Sequence, residues 1–171
     1  MSPGRSGVRV TGYGGARGRW AAIPLRLIVG YGFVAHGCAK VASGPDHFAA
    51  SLHTLGVPAP GAMAWATIAL ELLGGFAVLV GAWISLVSLP LSAILLVAIF
   101  TVHLPYGFSS IKLREVTAAG PQFGPPGYET DLLYLGALAT LVIGGPGPFA
   151  LDALRVRTRP TTIADDDGLD W

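Results

Sequence analysis

Apolar residues in this chain run in long blocks, not in the two-residue alternation of a half-buried strand. The first block extends from about Ala21 to Val41. The second extends from about Ala62 to Leu104, with Glu71 its only acid or base before His103. A helix crosses the hydrocarbon of a bilayer with about 20 residues. The second block is therefore read as two helices joined by a turn over residues 81–89, within "GAWISLVSLP", with Pro90 in the first turn of the later helix. A fourth, shorter block runs from about Thr130 to Ile143. The pattern predicts an all-α fold, an integral membrane four-helix bundle.

Composition supports that reading. Hydrophobic residues make up 52% of the chain and charged residues 12%, with a mean hydropathy of +0.59. Soluble domains carry about 25% charged residues, so too few charges remain here to cover a soluble surface. Trp20, Trp65 and Trp83 fall near helix ends, where a membrane interface would take them.

The basic residues are clustered. Arg5, Arg9, Arg17 and Arg19 precede the first apolar block, and Arg155, Arg157 and Arg159 follow the last. The positive-inside rule then places both termini in the cytoplasm. Residues 42–61 and 105–128 would face outward and the 81–89 turn inward. Residues 1–20 and 153–171 read as disordered cytoplasmic tails around a membrane domain spanning 21–152. No basic stripe with interleaved aromatics is present, so nucleic acid is not an expected partner; the lipid bilayer is.

The end of the first block, "FVAHGCAK", carries His36, Cys38 and Lys40 within five residues. "AHGC" is a poor lipoprotein cleavage site, because His36 stands before the small residue, and no A-x-A-like signal-peptidase site follows the block. The stretch reads instead as the outer end of a span. Ionisable groups inside a span cost about 2.5–3.5 kcal/mol at mid-helix, so they face the bundle and pair. At about 100° per residue, Arg26, Gly30, Phe33, His36, Gly37 and Lys40 share one side of the first helix. Glu71 shares a face with Ala64, Thr67, Gly74, Gly75 and Ala82. His103 aligns with Ser92 and Leu96, and Glu129 with Gly136 and Thr140.

Depth sorts the same groups. His36, Lys40, His103 and Glu129 sit at outer helix ends, and Glu71 lies about 13 Å into its span at 1.5 Å per residue. Together His36, Lys40, Glu71, His103 and Glu129 are expected to line an outer-half pocket. Arg26, near the cytoplasmic end, and Asp131 are expected to be structural polar residues. Lys40 equally suits snorkelling to the headgroups, and Glu129 and Asp131 suit helix capping. Cys38 lies about 200° from His36 and should face lipid or a packing seam. As the only cysteine, it excludes an intrachain disulfide. No metal-ligand spacing, P-loop or G-x-S-x-G motif is found, and no residue is assigned a catalytic role.

The order of motifs resembles the DoxX family of small bacterial four-span membrane proteins. The resemblance runs through "RLIVGYGFVAHGCAKV", "LHTLGVPAPGAMAWATIALELLGGFAVLVGAWIS", "FTVHLPYGF" and "GYETDLLYLGALATLVIGGPGPFALD". Arg26, Gly37 and Lys40 match the family's first-span pattern, and Leu55, Gly56 and Pro58 its turn. Glu71, Gly74, Gly75 and His103 follow, then Gly127, Glu129 and the terminal Gly145, Pro146, Gly147, Leu151 and Asp152. Pro148 departs from it, standing where members often carry a basic residue. The resemblance implies a bacterial inner-membrane protein and a membrane subunit of a quinone-linked or redox-defence oxidoreductase system. Its expected associates are quinone, with no covalently held cofactor, and a redox partner protein or further copies of the chain. The residues leave two alternatives: a small-molecule or ion transporter or membrane scaffold subunit, and a haem-binding bundle using His36 and His103.

Overall fold

The computed structural model describes residues 20–153. The expected tails, 1–20 and 153–171, lie outside the described residues except at Trp20 and Ala153. Four long helices pack together: α1 (Ala22–Ala42), α3 (Pro60–Val80), α4 (Ile84–Ala98) and α5 (Glu129–Gly144). A short helix α2 (Pro45–Thr54) joins α1 to α3. Among the described residues, three stretches are long and apolar enough to cross a membrane: Ala22–Ala42, Pro60–Val80 and Ile84–Tyr106.

The connections carry more structure than the sequence suggests. The segment before α5 contains an antiparallel hairpin, β1 (Leu113–Thr117) with β2 (Gly120–Phe123), so the fold is not purely α. The hairpin lies outside the apolar blocks, where hydropathy carries no signal for it. The residue 42–61 loop is helical over α2, because Pro45 suits a first turn and Asp46 favours the positive helix N-terminus.

The α3–α4 turn is tighter than expected and comes earlier, leaving Pro90 inside α4 rather than in its first turn. Gly81, at φ +71°, closes α3: its N–H donates to the Val78 carbonyl at 3.1 Å, and the Ala82 N–H to the Ala77 carbonyl at 2.8 Å. This is the Schellman arrangement, in which glycine takes the left-handed residue at no steric cost. Asp152, from far along the chain, then caps α4 by accepting the Trp83 and Ile84 N–H groups at 2.9 and 3.1 Å. With the helix started so early, Pro90 costs one backbone hydrogen bond, which membrane helices accommodate.

A buried cluster of Val29, Phe33, Val78, Ile84, Leu91, Leu95, Leu138 and Leu141 holds the bundle together. Helices α1 and α3 cross closely. A Cβ on Gly30 would lie 2.7 Å from the Gly75 carbonyl oxygen, and one on Gly75 would lie 2.8 Å from the Phe33 Cβ. Small residues permit this backbone approach, as is common between membrane helices. The outer surface is the reverse of a soluble protein's: Leu27, Ile28, Leu73, Phe76, Leu86, Leu89, Phe100, Leu133 and Ile143 are all exposed. So continuous an apolar surface exceeds what a soluble monomer shows and suits lipid tails.

Candidate functional site

The expected ionisable residues separate to two ends of the bundle. Arg26, 5% exposed, donates from Nη1 to the Pro146 carbonyl at 2.8 Å, beside the Gly81 turn and Asp152. It ties α1 to the segment after α5.

At the other end, a cavity of about 130 Å³ opens between the four long helices. His36 and Lys40 line it from α1, Glu71 from α3, His103 from the end of α4, and Asp131 and Tyr134 from α5. Lys40 Nζ donates to both Glu71 carboxylate oxygens, at 2.7 and 2.8 Å. The Glu71 side chain is 6% exposed and that of Lys40 23%. The pair therefore reaches from the rim to the interior. The Phe48 ring of α2 lies 5.3 Å from Nζ, so Lys40 does not simply snorkel to the headgroups. His103 Nε2 stands 3.8 Å from Asp131 Oδ2, while its Nδ1 lies 3.1 Å from the Pro126 carbonyl oxygen. His36 is exposed at the rim. Phe33 and Tyr134 meet edge-to-face at 5.4 Å and form the aromatic wall.

Two side chains exchange their expected places. Glu129 does not line the cavity; its Oε2 accepts the Ser110 backbone N–H at 3.0 Å. Asp131, expected to be structural, lines it instead. The reason is the rotation of α5. Its inward stripe runs through Asp131, Tyr134, Leu138 and Leu141, while Gly136 and Thr140 face outward. The apolar blocks mark a helix facing lipid on one side and protein on the other, but both sides are equally greasy. Glu129 consequently falls into a clamp between two loop segments. There Gly127 N–H donates to Ser109, Tyr128 N–H to Gly107 and Glu129 N–H to Phe108.

His103 also reaches the cavity by a route a regular helix would not give it. The core face of α4 runs through Ser88, Leu91 and Leu95, not through Ser92 and Leu96. A π-turn over Ile99–His103 then widens the helix. The wider turn advances less per residue, and so holds His103 over the Leu95 side. Such π-turns commonly sit at functional sites. Cys38 is exposed, away from the cavity.

Chemically, the cavity offers donors at Lys40 and the histidines and acceptors at Glu71 and Asp131, against an aromatic wall. Among the described residues, no group of three His, Cys, Asp or Glu side chains is placed to hold a metal ion.

No curated protein and no solved structure matches the chain. The family model described as DoxX matches residues 21–104. That segment carries Arg26, Lys40, Glu71 and His103, and ends before the hairpin and α5. With its apolar helices, this match makes the chain a DoxX-like integral membrane protein, similar to the DoxX family across its first three long helices.

Proposed function

We propose that the protein is a four-span subunit of the bacterial inner membrane, with both termini cytoplasmic, whose outer-half cavity receives a quinone headgroup for a redox partner. The observation that carries this reading is the cavity itself, about 130 Å³ and lined by His36, the Lys40–Glu71 pair, His103, Asp131 and Tyr134. A cavity of about 150 Å³ holds a single benzene ring, so this space, which opens at the His36 rim, suits the carbonyl edge of one quinone ring with the remainder outside it. Donors at Lys40 and His36 suit its carbonyls, and the carboxylates suit the hydroxyls of its reduced form. A porphyrin does not fit so small a space. The membrane subunit passes electrons through its ligand to a partner; its own residues hold the ring and handle protons. The fourth crossing is made by α5, whose 16 residues fall short of the 21 of α1 and α3, with Tyr128 at its outer interface.

The test is purification in mild detergent followed by solvent extraction and mass spectrometry. Quinone should be retained by the wild type and fall about fivefold in His36→Ala, the loss of one hydrogen bond of about 1 kcal/mol. Quinone no higher than in an unrelated membrane protein prepared alongside would overturn the reading.

The topology has its own check. In a Cys38→Ser background, impermeant maleimide applied to intact cells should label a cysteine at Ser51 or Ser109 and spare one at Ser6 or Thr161. The opposite pattern would invert the bundle. The Cys38→Ser change itself should leave quinone retention unchanged, because the thiol faces away from the cavity.

A further inference from the structure

We infer that His103 and Asp131 form a dyad sharing a single proton, and that this dyad is the acid–base group of the cavity, the one that takes a proton from a ring-hydroxyl ligand and returns it. The inference rests on the reading that this cavity is the ligand site. It starts from the bond between His103 Nδ1 and the Pro126 carbonyl oxygen at 3.1 Å. A carbonyl only accepts, so Nδ1 must carry a hydrogen. A neutral His103 then has its bare lone pair on Nε2, the nitrogen 3.8 Å from Asp131 Oδ2. A lone pair facing an ionised carboxylate inside a bundle is unfavourable. One proton carried by either group removes the conflict, as imidazolium paired with carboxylate at the 3.8 Å ion-pair separation or as imidazole beside carboxylic acid.

The surroundings hold this arrangement in place. Pro126 precedes Gly127, whose N–H donates to the Ser109 carbonyl at 2.9 Å. Ser110 Oγ donates to the Gly127 carbonyl at 3.1 Å and its N–H to Glu129. The loop therefore presents the Pro126 carbonyl as a fixed acceptor, much as a backbone carbonyl sets the tautomer of a metal-bound or catalytic histidine. The π-turn over Ile99–His103 sets the backbone from which the ring projects. The charged and titratable groups facing the dyad are His36 and Lys40 of α1, Glu71 of α3 and Tyr134 of α5. Lys40 and Glu71 already neutralise each other through two hydrogen bonds. That leaves His36, out at the exposed rim, and the dyad, deeper between the helices, as the groups free to change proton content; the dyad is the one held in place from two sides when a ligand hydroxyl arrives.

The proposal is tested on the full-length protein in lipid nanodiscs with ¹⁵N-labelled histidine and no added ligand. The His103 resonances are assigned by their loss in His103→Gln. They should report a hydrogen on Nδ1 at every pH. The Nε2 signal should show two inflections, because interacting sites titrate as a pair, and Asp131→Asn should reduce these to one. A hydrogen resident on Nε2 of neutral His103, or a single inflection that Asp131→Asn leaves unchanged, would overturn the dyad. The wild-type tautomer decides the matter even where Asp131→Asn fails to fold. A dyad confirmed in a protein that retains no quinone would overturn the quinone assignment alone. Retained quinone with an Nε2–H tautomer would overturn the dyad alone.

Discussion

Lys40→Met is expected to cost the bundle about 3 kcal/mol of unfolding stability, and adding Glu71→Leu is expected to restore most of it. Glu71 is almost fully buried, and Lys40 gives it both of its bonds, at 2.7 and 2.8 Å. Removing one member of a buried pair strands the other charge, at about 3–5 kcal/mol, while replacing both with apolar residues is often neutral. The lower end applies because Lys40 reaches partly to the surface. For the same reason Glu71→Gln alone should cost less than Lys40→Met: a stranded lysine at the rim can still reach water and the Phe48 ring. Asp46→Asn, on exposed α2, should change little, within about 0.5 kcal/mol. Reversible unfolding in detergent, run on both single variants and the double, gives the coupling. Strictly additive losses would mean that the pair is solvated and holds nothing together.

Gly127→Ala should be nearly as damaging, through geometry rather than charge. A Cβ at this position would overlap the Gly107 carbonyl oxygen and lie 2.7 Å from the Phe108 and Ser109 carbonyl oxygens. These are backbone atoms fixed by the loop clamp, so nothing can step aside. Overpacking against rigid surroundings costs about 1–3 kcal/mol. Here it would also spread the two loop segments and withdraw the Pro126 carbonyl from His103. The expected result is a lower melting temperature together with new protease cleavage between residues 107 and 128. Gly136→Ala is the matched control. It sits in α5 with open space around the added methyl, where alanine is the better helix former by about 0.5–1 kcal/mol. A Gly127→Ala protein that melts and resists protease like the wild type would show that the clamp is dispensable.

Several of the residues that line the cavity are legible in the sequence, for particular reasons. The Lys40 and Glu71 positions follow from cost: a carboxylate deep in an apolar block needs a cation, and helical spacing leaves few within reach. Arg26 was separable from the others by depth alone. Glu129 and Asp131 were not distinguishable in the same way. Two carboxylates two positions apart at a helix start point about 200° apart, and which one turns inward depends on how α5 is rotated against its neighbours. His103 was placed at the right end of its helix but on the wrong stripe, because the π-turn that redirects it has no reliable signature in residue types.

What the sequence determined by itself is the solvent. Apolar blocks of membrane length, broken by few charges, commit the chain to a bilayer, and their lack of two-residue alternation selects helices over a closed barrel, the two forms in which a backbone in lipid satisfies its own hydrogen bonds. Helical spacing puts Gly30 and Gly75 on the faces that carry the buried charges, and the structure brings the two helices together at these glycines. The tertiary structure alone decided rotation and capping. Asp152 closing the start of α4, Asp131 rather than Glu129 facing the cavity, and the Pro126 carbonyl fixing His103 all join residues distant along the chain. Lipid rewards every apolar face equally, so hydropathy cannot choose which side of a helix turns inward. That choice is made by close packing and by the few polar groups that must find partners, and both exist only once the helices have met.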